Sequence, residues 1–93
     1  MDIEEYRGYT IASEPCAPAG DHIAFTFLVT HGGERELLCR CEVSGTVLRE
    51  LGHDRSAAHA RCRDAIHQLL DRDEYIKGEG FTLAITEYGE HRG

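Results

Sequence analysis

The sequence predicts an α+β domain in which an antiparallel sheet of three to four strands carries one amphipathic helix across one face, in the order β-β-β-α-β. Three observations predict this class. Apolar and polar residues alternate at period two in several segments before residue 44, a long segment after residue 53 repeats its apolar residues at helical spacing, and another alternating segment follows. Because an amphipathic helix must bury its apolar stripe, we expect it to cover the apolar face of the sheet.

The length and composition predict one ordinary globular domain. The chain has 93 residues, of which 41% are apolar and 29% charged. A chain of this size buries only about 60–65% of its unfolded surface, so we expect one modest core and no deep active-site cavity. We predict a single domain over residues 1–93, with residues 1–5 and 89–93 disordered.

The first two strands are predicted on either side of a loop. Residues 6–13 combine aromatic and β-branched side chains, and Pro15, Pro18 and Gly20 then break the pattern. Residues 22–30 form the clearest strand, and its two faces differ. Its core face is predicted to hold Ile23, Phe25, Phe27 and Val29, and its other face Ala24, Thr26, Leu28 and Thr30.

A hairpin is predicted to connect this strand to the third. Gly32 and Gly33 provide the positive φ of a tight turn, and residues 36–43 then alternate so that Cys39 and Cys41 point with the aliphatic side chains. Residues 44–52 fit either a continued strand or a loop. After the helix, residues 81–88 alternate again and are predicted to form a fourth strand that pairs in its own chain or in a neighbour.

The helix is predicted over residues 54–71. Asp54 or Ser56 can cap its start, and no Gly or Pro interrupts it before Gly78. One stripe, with Leu70 at its border, should be buried, and the opposite face, with Arg61 and Gln68, should be in water. The stripe contains Ala58, Cys62, Ala65, Ile66 and Leu69.

The charge and the cysteines exclude several function classes. A formal charge of −7 disfavours binding to nucleic acid, since that affinity requires neutralised phosphates. The chain has no apolar run near 18 residues and begins with acidic residues, so we predict no membrane segment and a cytoplasmic location. In that compartment the four cysteines are expected to remain reduced thiols.

Cysteine and histidine side chains raise the alternatives of a metal site and of a nucleophile. Zinc ligands are usually paired at loop spacings, whereas Cys39 and Cys41 lie in a strand pattern and Cys62 in the helix stripe. His59 and His67 are predicted on the solvent side of that helix or at its border, away from Cys62, which faces the core. We therefore expect buried structural thiols, no catalytic, cofactor-binding or metal-binding residues, and no enzyme activity.

Two resemblances to known families accompany these patterns. The opening Tyr6-Arg7-Gly8-Tyr9, the His31-Gly32-Gly33 turn and the helix end resemble small uncharacterised bacterial α+β proteins that begin with a Tyr-Lys/Arg-Gly-Tyr strand. That resemblance implies three antiparallel strands followed by a helix, and no activity. The element order, Gly52-His53-Asp54 and the spacing from Ala58 to Ala65-Ile66 also resemble HicB-type antitoxin domains, which implies a toxin partner.

The predicted function is that of a non-enzymatic protein-interaction module. Aliphatic groups stand on the strand faces away from the helix, where the sheets of monomers are usually more polar. We predict a homodimer or another protein partner at an interface formed by Ala24, Thr26, Leu28 and Leu38. A monomer whose termini cover these residues is the simplest alternative. Two further alternatives are a HicB-like antitoxin that neutralises a ribonuclease toxin and a small cysteine- or metal-dependent enzyme.

Overall fold

The computed structural model describes all 93 residues and contains one six-stranded sheet and two helices. In chain order the elements are β1 (Asp2–Tyr6), β2 (Tyr9–Pro15), β3 (Ile23–His31), β4 (Glu34–Val43), α1 (Gly45–Glu50), α2 (Arg55–Arg72), β5 (Glu79–Thr86) and β6 (Gly89–Arg92). The strands follow one another across the sheet in sequence order. The prediction of three to four antiparallel strands with one helix was therefore wrong, because it missed the two edge strands and α1.

A hairpin at the start of the chain accounts for one of the missed strands. Arg7 and Gly8 both have positive φ (50° and 88°), as a two-residue hairpin turn requires. The turn divides the strand predicted over residues 6–13 and pairs β1 with β2, so that Asp2 lies opposite Ser13. Residues 1–5 were expected to be disordered, but residues 2–5 belong to β1 and pair with β2.

The central hairpin matches its prediction. Gly32 and Gly33 both have positive φ, and β3 pairs antiparallel with β4, which begins at Glu34. The register shifts between Val29 and Thr30, where a bulge interrupts the ladder.

Residues 44–52, expected to be a strand or a loop, contain the short helix α1. Ser44 caps this helix by accepting a hydrogen bond from the Val47 amide at 3.3 Å. Gly45 begins the helix against the loop before β3, where a Cβ atom would lie 2.8 Å from the Asp21 carbonyl oxygen. Only glycine allows this close approach.

Helix α2 agrees closely with its prediction. Asp54 is the N-cap, and its carboxylate accepts hydrogen bonds from the Ser56 and Ala57 amides. Asp73 ends the helix in the left-handed conformation. The six residues predicted for the stripe and its border are the buried residues of α2: Ala58, Cys62, Ala65, Ile66, Leu69 and Leu70.

The strands that follow α2 pair within the same chain. Strand β5 runs parallel to β4, with Cys41 opposite Leu83, so the expectation of a purely antiparallel sheet was wrong. The two helices give the crossover enough length to return the chain to the end of the sheet where β4 began. Residues 89–93, expected to be disordered, include β6, which pairs antiparallel with β5. Neither helix is both long and apolar enough to span a lipid bilayer.

Both helices cover the same face of the sheet, which we term the inner face. Val47 of α1 and Ile66 of α2 belong to one continuous core with Phe27 of β3 and Ile85 of β5. The opposite surface, which we term the outer face, has no helix packed against it. Two regions of the fold face solvent and are open to other molecules: the outer face, and a cleft where α2 meets β1 and β2.

Candidate functional site

An apolar row crosses the outer face over five strands. The register places Ile3 opposite Ala12, Ala12 opposite Leu28 and Leu28 opposite Leu38. The row ends at Gly80 of β5, which has no side chain to cover the neighbouring Leu38. Because side chains at paired positions share a face, the four apolar side chains form one continuous surface.

This apolar row is partly accessible to solvent. Ile3 is 66% exposed and Leu28 is 38% exposed, and the adjoining Met1 is also exposed. A shallow depression of about 240 Å³ on this face is lined by four apolar and two polar residues: Met1, Ala12, Leu28, Leu38, Glu14 and Thr26. The exposed row is therefore large enough to receive apolar side chains from another molecule.

Polar rows lie on both sides of the apolar row. On one side, Thr26 is paired with Arg40, and Arg40 Nε donates to Glu42 Oε1 at 2.9 Å on the same face. On the other side, Thr10 is paired with Thr30. An apolar centre with a polar rim is the usual anatomy of a protein-protein interface.

The four residues predicted as an interface all lie on the outer face, but they differ in access. Leu28 and Leu38 lie at the centre of the apolar row, and Thr26 lies in the adjoining polar row. Ala24 is only 3% exposed and offers almost no contact surface. The sequence reasoning missed Ile3 and Ala12, because the strand that contains Ile3 was not predicted.

The second region is a cleft on the inner side, between the start of α2 and the ends of β1 and β2. Its volume is about 400 Å³. Ser13 of β2, which is 5% exposed, lies at the cleft, and its Oγ is 2.8 Å from Nε2 of His59 on α2. The hydroxyl and the imidazole share one hydrogen bond, in which either atom is able to donate.

Packing fixes the His59 ring. The ring lies 5.0 Å from the Phe25 ring and stacks on the Phe27 ring at 5.6 Å between centroids. Burial lowers the pKa of His59, and Arg63 lowers it further, whereas Asp2 and Glu4 oppose the shift. The imidazole is therefore neutral at pH 7 and able to accept a proton from Ser13.

The Ser13–His59 pair differs from a catalytic triad. In a Ser-His-Asp triad the acid binds the imidazole nitrogen that faces away from the serine. Here the nearest carboxylate oxygen, Oδ2 of Asp2, is 3.9 Å from Nε2, the same nitrogen that contacts Ser13. The arrangement supplies a positioned hydroxyl and a neutral imidazole, without a triad's orienting acid.

Comparisons with protein-family models, with characterised proteins and with solved structures find no significant match for this chain. The assignment of function therefore rests on the geometry of the outer face and the cleft.

The histidines of α2 are more buried than predicted. His59 and His67 were expected on the solvent side or its border, and their side chains are only 14% and 20% exposed. Strand β1 covers His67, whereas side chains of β2 and β3 enclose His59. His67 Nε2 is 2.8 Å from Glu4 Oε1, and its ring stacks on Tyr6 at 3.8 Å. The four-residue spacing of Arg55, His59, Arg63 and His67 was the available signal for this polar stripe.

The cysteines occupy the positions predicted for structural thiols. Cys39, Cys41 and Cys62 are fully buried in the core, and Cys16 is half-buried at the edge of the outer face. Burial raises the pKa of Cys39 to about 12, and a hydrogen bond with Cys62 together with burial raises the pKa of Cys41. Because nucleophilic attack and metal binding both require the thiolate, Cys39 and Cys41 are poorly suited to either role.

Proposed function

We propose that this protein is a non-enzymatic interaction module that forms a homodimer through its outer face. The observation that carries the proposal is the apolar row of Ile3, Ala12, Leu28 and Leu38 on a sheet surface with no helix packed against it. We place this function in the cytoplasm, where four free cysteines would remain reduced.

The size of the outer face supports a second copy of the chain as the occupant. Six strands about 4.8 Å apart, with an average length of about seven residues at about 3.3 Å per residue, give a face of about 600 Å². A specific interface buries about 600–1,000 Å² on each partner. Two outer faces packed together would form a two-sheet sandwich, with the apolar rows at its centre.

The arrangement of charge also supports self-association. A two-fold interface brings the same surface of each copy together, so uncompensated like charges at its centre would repel. The apolar row itself contains no charged side chain. The nearest charges are Arg40 and Glu42, which are paired within each chain, and Glu14, which borders the depression beside Leu28. The strong negative charge of the whole chain therefore lies mainly outside the contact.

Light scattering on the purified protein tests this proposal. We expect the wild type to have twice the 10.4 kDa mass of one chain. Leu28→Asp should give a single-chain mass, because it places a carboxylate at the centre of the interface. Leu28→Thr keeps a good strand former and should weaken the dimer by about tenfold or more, since it removes an anchoring aliphatic group.

Gln68→Asp is the matched control, because it adds the same charge at an exposed position of α2 on the other side of the molecule. Circular dichroism would establish that each variant is folded. The proposal is wrong if the folded wild type has the mass of one chain, or if Gln68→Asp dissociates the dimer as completely as Leu28→Asp.

A second candidate function is that of a HicB-like antitoxin. It is favoured by the order of β2, β3, β4, α2 and β5, which gives three strands, a helix and a strand, although α1 and two edge strands are added. The test is co-expression with a small basic ribonuclease encoded beside this chain in its genome. Restored growth would support an antitoxin, and unrelieved toxicity would reject it.

A further inference from the structure

The cleft between α2 and the ends of β1 and β2 contains two arginines without acidic partners. Arg55 and Arg63 lie one helical turn before and after His59, and all three line the cleft. Neither guanidinium group has a carboxylate oxygen within 4.0 Å, and these two are the arginines that line the cleft. Because a guanidinium provides five donors, unpaired arginines on one wall are able to bind an anion.

The side chains that face the cleft have an excess of positive charge, although the chain as a whole is strongly negative. Asp2 is the acid that faces this space from β1, and it lies beside His59. Glu14 also borders the cleft, but the alternation of β2 directs its side chain to the outer face, where it borders the depression beside Leu28. Two arginines therefore face the Asp2 carboxylate inside the cleft, with Glu14 at its rim and Glu4 close enough to His59 to act on its pKa.

Neutral hydrogen-bonding groups lie between these charges. Ser13 Oγ and His59 Nε2 are 2.8 Å apart, and the packing of His59 on Phe25 and Phe27 holds this pair in place. When His59 Nε2–H donates to Ser13 Oγ, the single hydrogen of the serine hydroxyl is left to donate to an anionic oxygen. An anion would be bound by these side chains and not by the backbone of α2. The amides of Ser56 and Ala57 at the start of the helix already donate to the Asp54 carboxylate.

We infer that this cleft binds a small molecule through an oxyanion group, a phosphate or a carboxylate. Arg55 and Arg63 would hold the anionic oxygens, with Ser13 donating from the opposite wall. Arginine is suited to this role because its planar donors match phosphate and carboxylate oxygens in pairs. The cleft volume of about 400 Å³ lies within the range of small-molecule sites. This site is independent of the outer face, which lies on the other side of the sheet.

An NMR titration of the histidine side-chain resonances tests this inference. Sodium phosphate and sodium acetate are added separately, with sodium chloride at matched ionic strength as the reference. We expect a saturable shift of the His59 resonances with phosphate, acetate or both, and none with chloride. A response to phosphate alone would assign the ligand group as a phosphate, and a response to acetate alone would assign it as a carboxylate.

Arginine variants locate the binding. Arg55→Gln and Arg63→Gln should each weaken binding of the active anion by about tenfold or more, because each removes a charge-assisted hydrogen bond. Arg61→Gln is the matched control: it removes the same charge from the exposed side of the same helix and should change binding by less than about twofold. Ser13→Ala should also weaken binding while leaving both arginines in place.

Three results would overturn the inference. The first is an equal response of His59 to chloride and to both oxyanions. The second is a loss of binding in Arg61→Gln as large as in Arg55→Gln, which would indicate general charge screening. The third is unchanged binding in folded Arg55→Gln and Arg63→Gln proteins.

Discussion

His59 is a residue whose surroundings control its charge. It is enclosed by Phe25, Phe27 and Ser13, and this burial lowers its pKa from the ordinary value of 6.5. A histidine with a lowered pKa binds fewer protons in the folded state than in the unfolded state. The folded state is therefore favoured while His59 is neutral, and it loses stability as the pH falls below 6.5 towards the lowered value.

The variant His59→Asn tests this consequence. The wild type should lose stability between pH 7.5 and pH 5.5, and His59→Asn should lose less over the same interval, because it has no proton to take up at this position. The measurement is chemical denaturation at both pH values. His53→Asn is the control, since His53 is exposed and its left-handed backbone accepts asparagine. Equal pH dependence in the wild type and His59→Asn would contradict the assignment.

Helix α2 is an element with two different contact surfaces. Its apolar stripe packs on the inner face of the sheet, and its neighbouring polar stripe lies against β1. On the polar side, Glu4 contacts His67, and the Tyr6 hydroxyl donates to Asp71. The helix thus connects the centre of the sheet to the edge strand through two chemically distinct interfaces.

The apolar stripe should dominate the stability that α2 contributes. Ile66 is fully buried, so Ile66→Ala leaves a cavity between the helix and the sheet and should cost about 2–4 kcal/mol of unfolding free energy. Gln68→Ala, at an exposed position of the same helix, should change it by less than about 0.5 kcal/mol. Urea denaturation provides both values. Similar values for the two variants would remove Ile66 from the core.

The sequence was sufficient to predict the elements that bury apolar side chains. The stripe of α2, its Asp54 cap, the inner face of β3 and the hairpin at Gly32-Gly33 all follow from spacing and turn chemistry. These signals are local, because one segment contains the whole pattern. The burial of Cys39, Cys41 and Cys62 followed for the same reason.

The polar contacts between β1 and α2 could not be predicted in this way. Asp2 and Glu4 suggested a solvated, frayed terminus, and His59 and His67 suggested a solvated helix face. The two surfaces cover each other where Glu4 pairs with His67. The hydrogen bond of Ser13 to His59 adds a second contact between segments that are distant in the sequence. Periodicity detects apolar burial, whereas the mutual burial of polar side chains depends on the tertiary pairing of distant segments.

The whole molecule is a sheet with one face covered. The sequence indicated Leu28 and Leu38 as members of an apolar outer face, but the row that includes Ile3 and Ala12 depends on the register of four strands. The parallel pairing of β5 with β4 could not be predicted either, because an alternating segment after a helix fits a parallel or an antiparallel strand. The proposed interface is thus a property of the assembled sheet.

The measurement that tests the proposed homodimer most directly is a dilution series of methyl NMR spectra, from millimolar to micromolar protein. The methyl resonances of Ile3, Leu28 and Leu38 should shift together with concentration, because they lie at the contact between copies. Those of the fully buried Ile66 and Ile85, on the inner face, should remain unchanged. Spectra that do not change with concentration in a protein with the mass of one chain, or changes confined to residues of α2, would contradict the proposal.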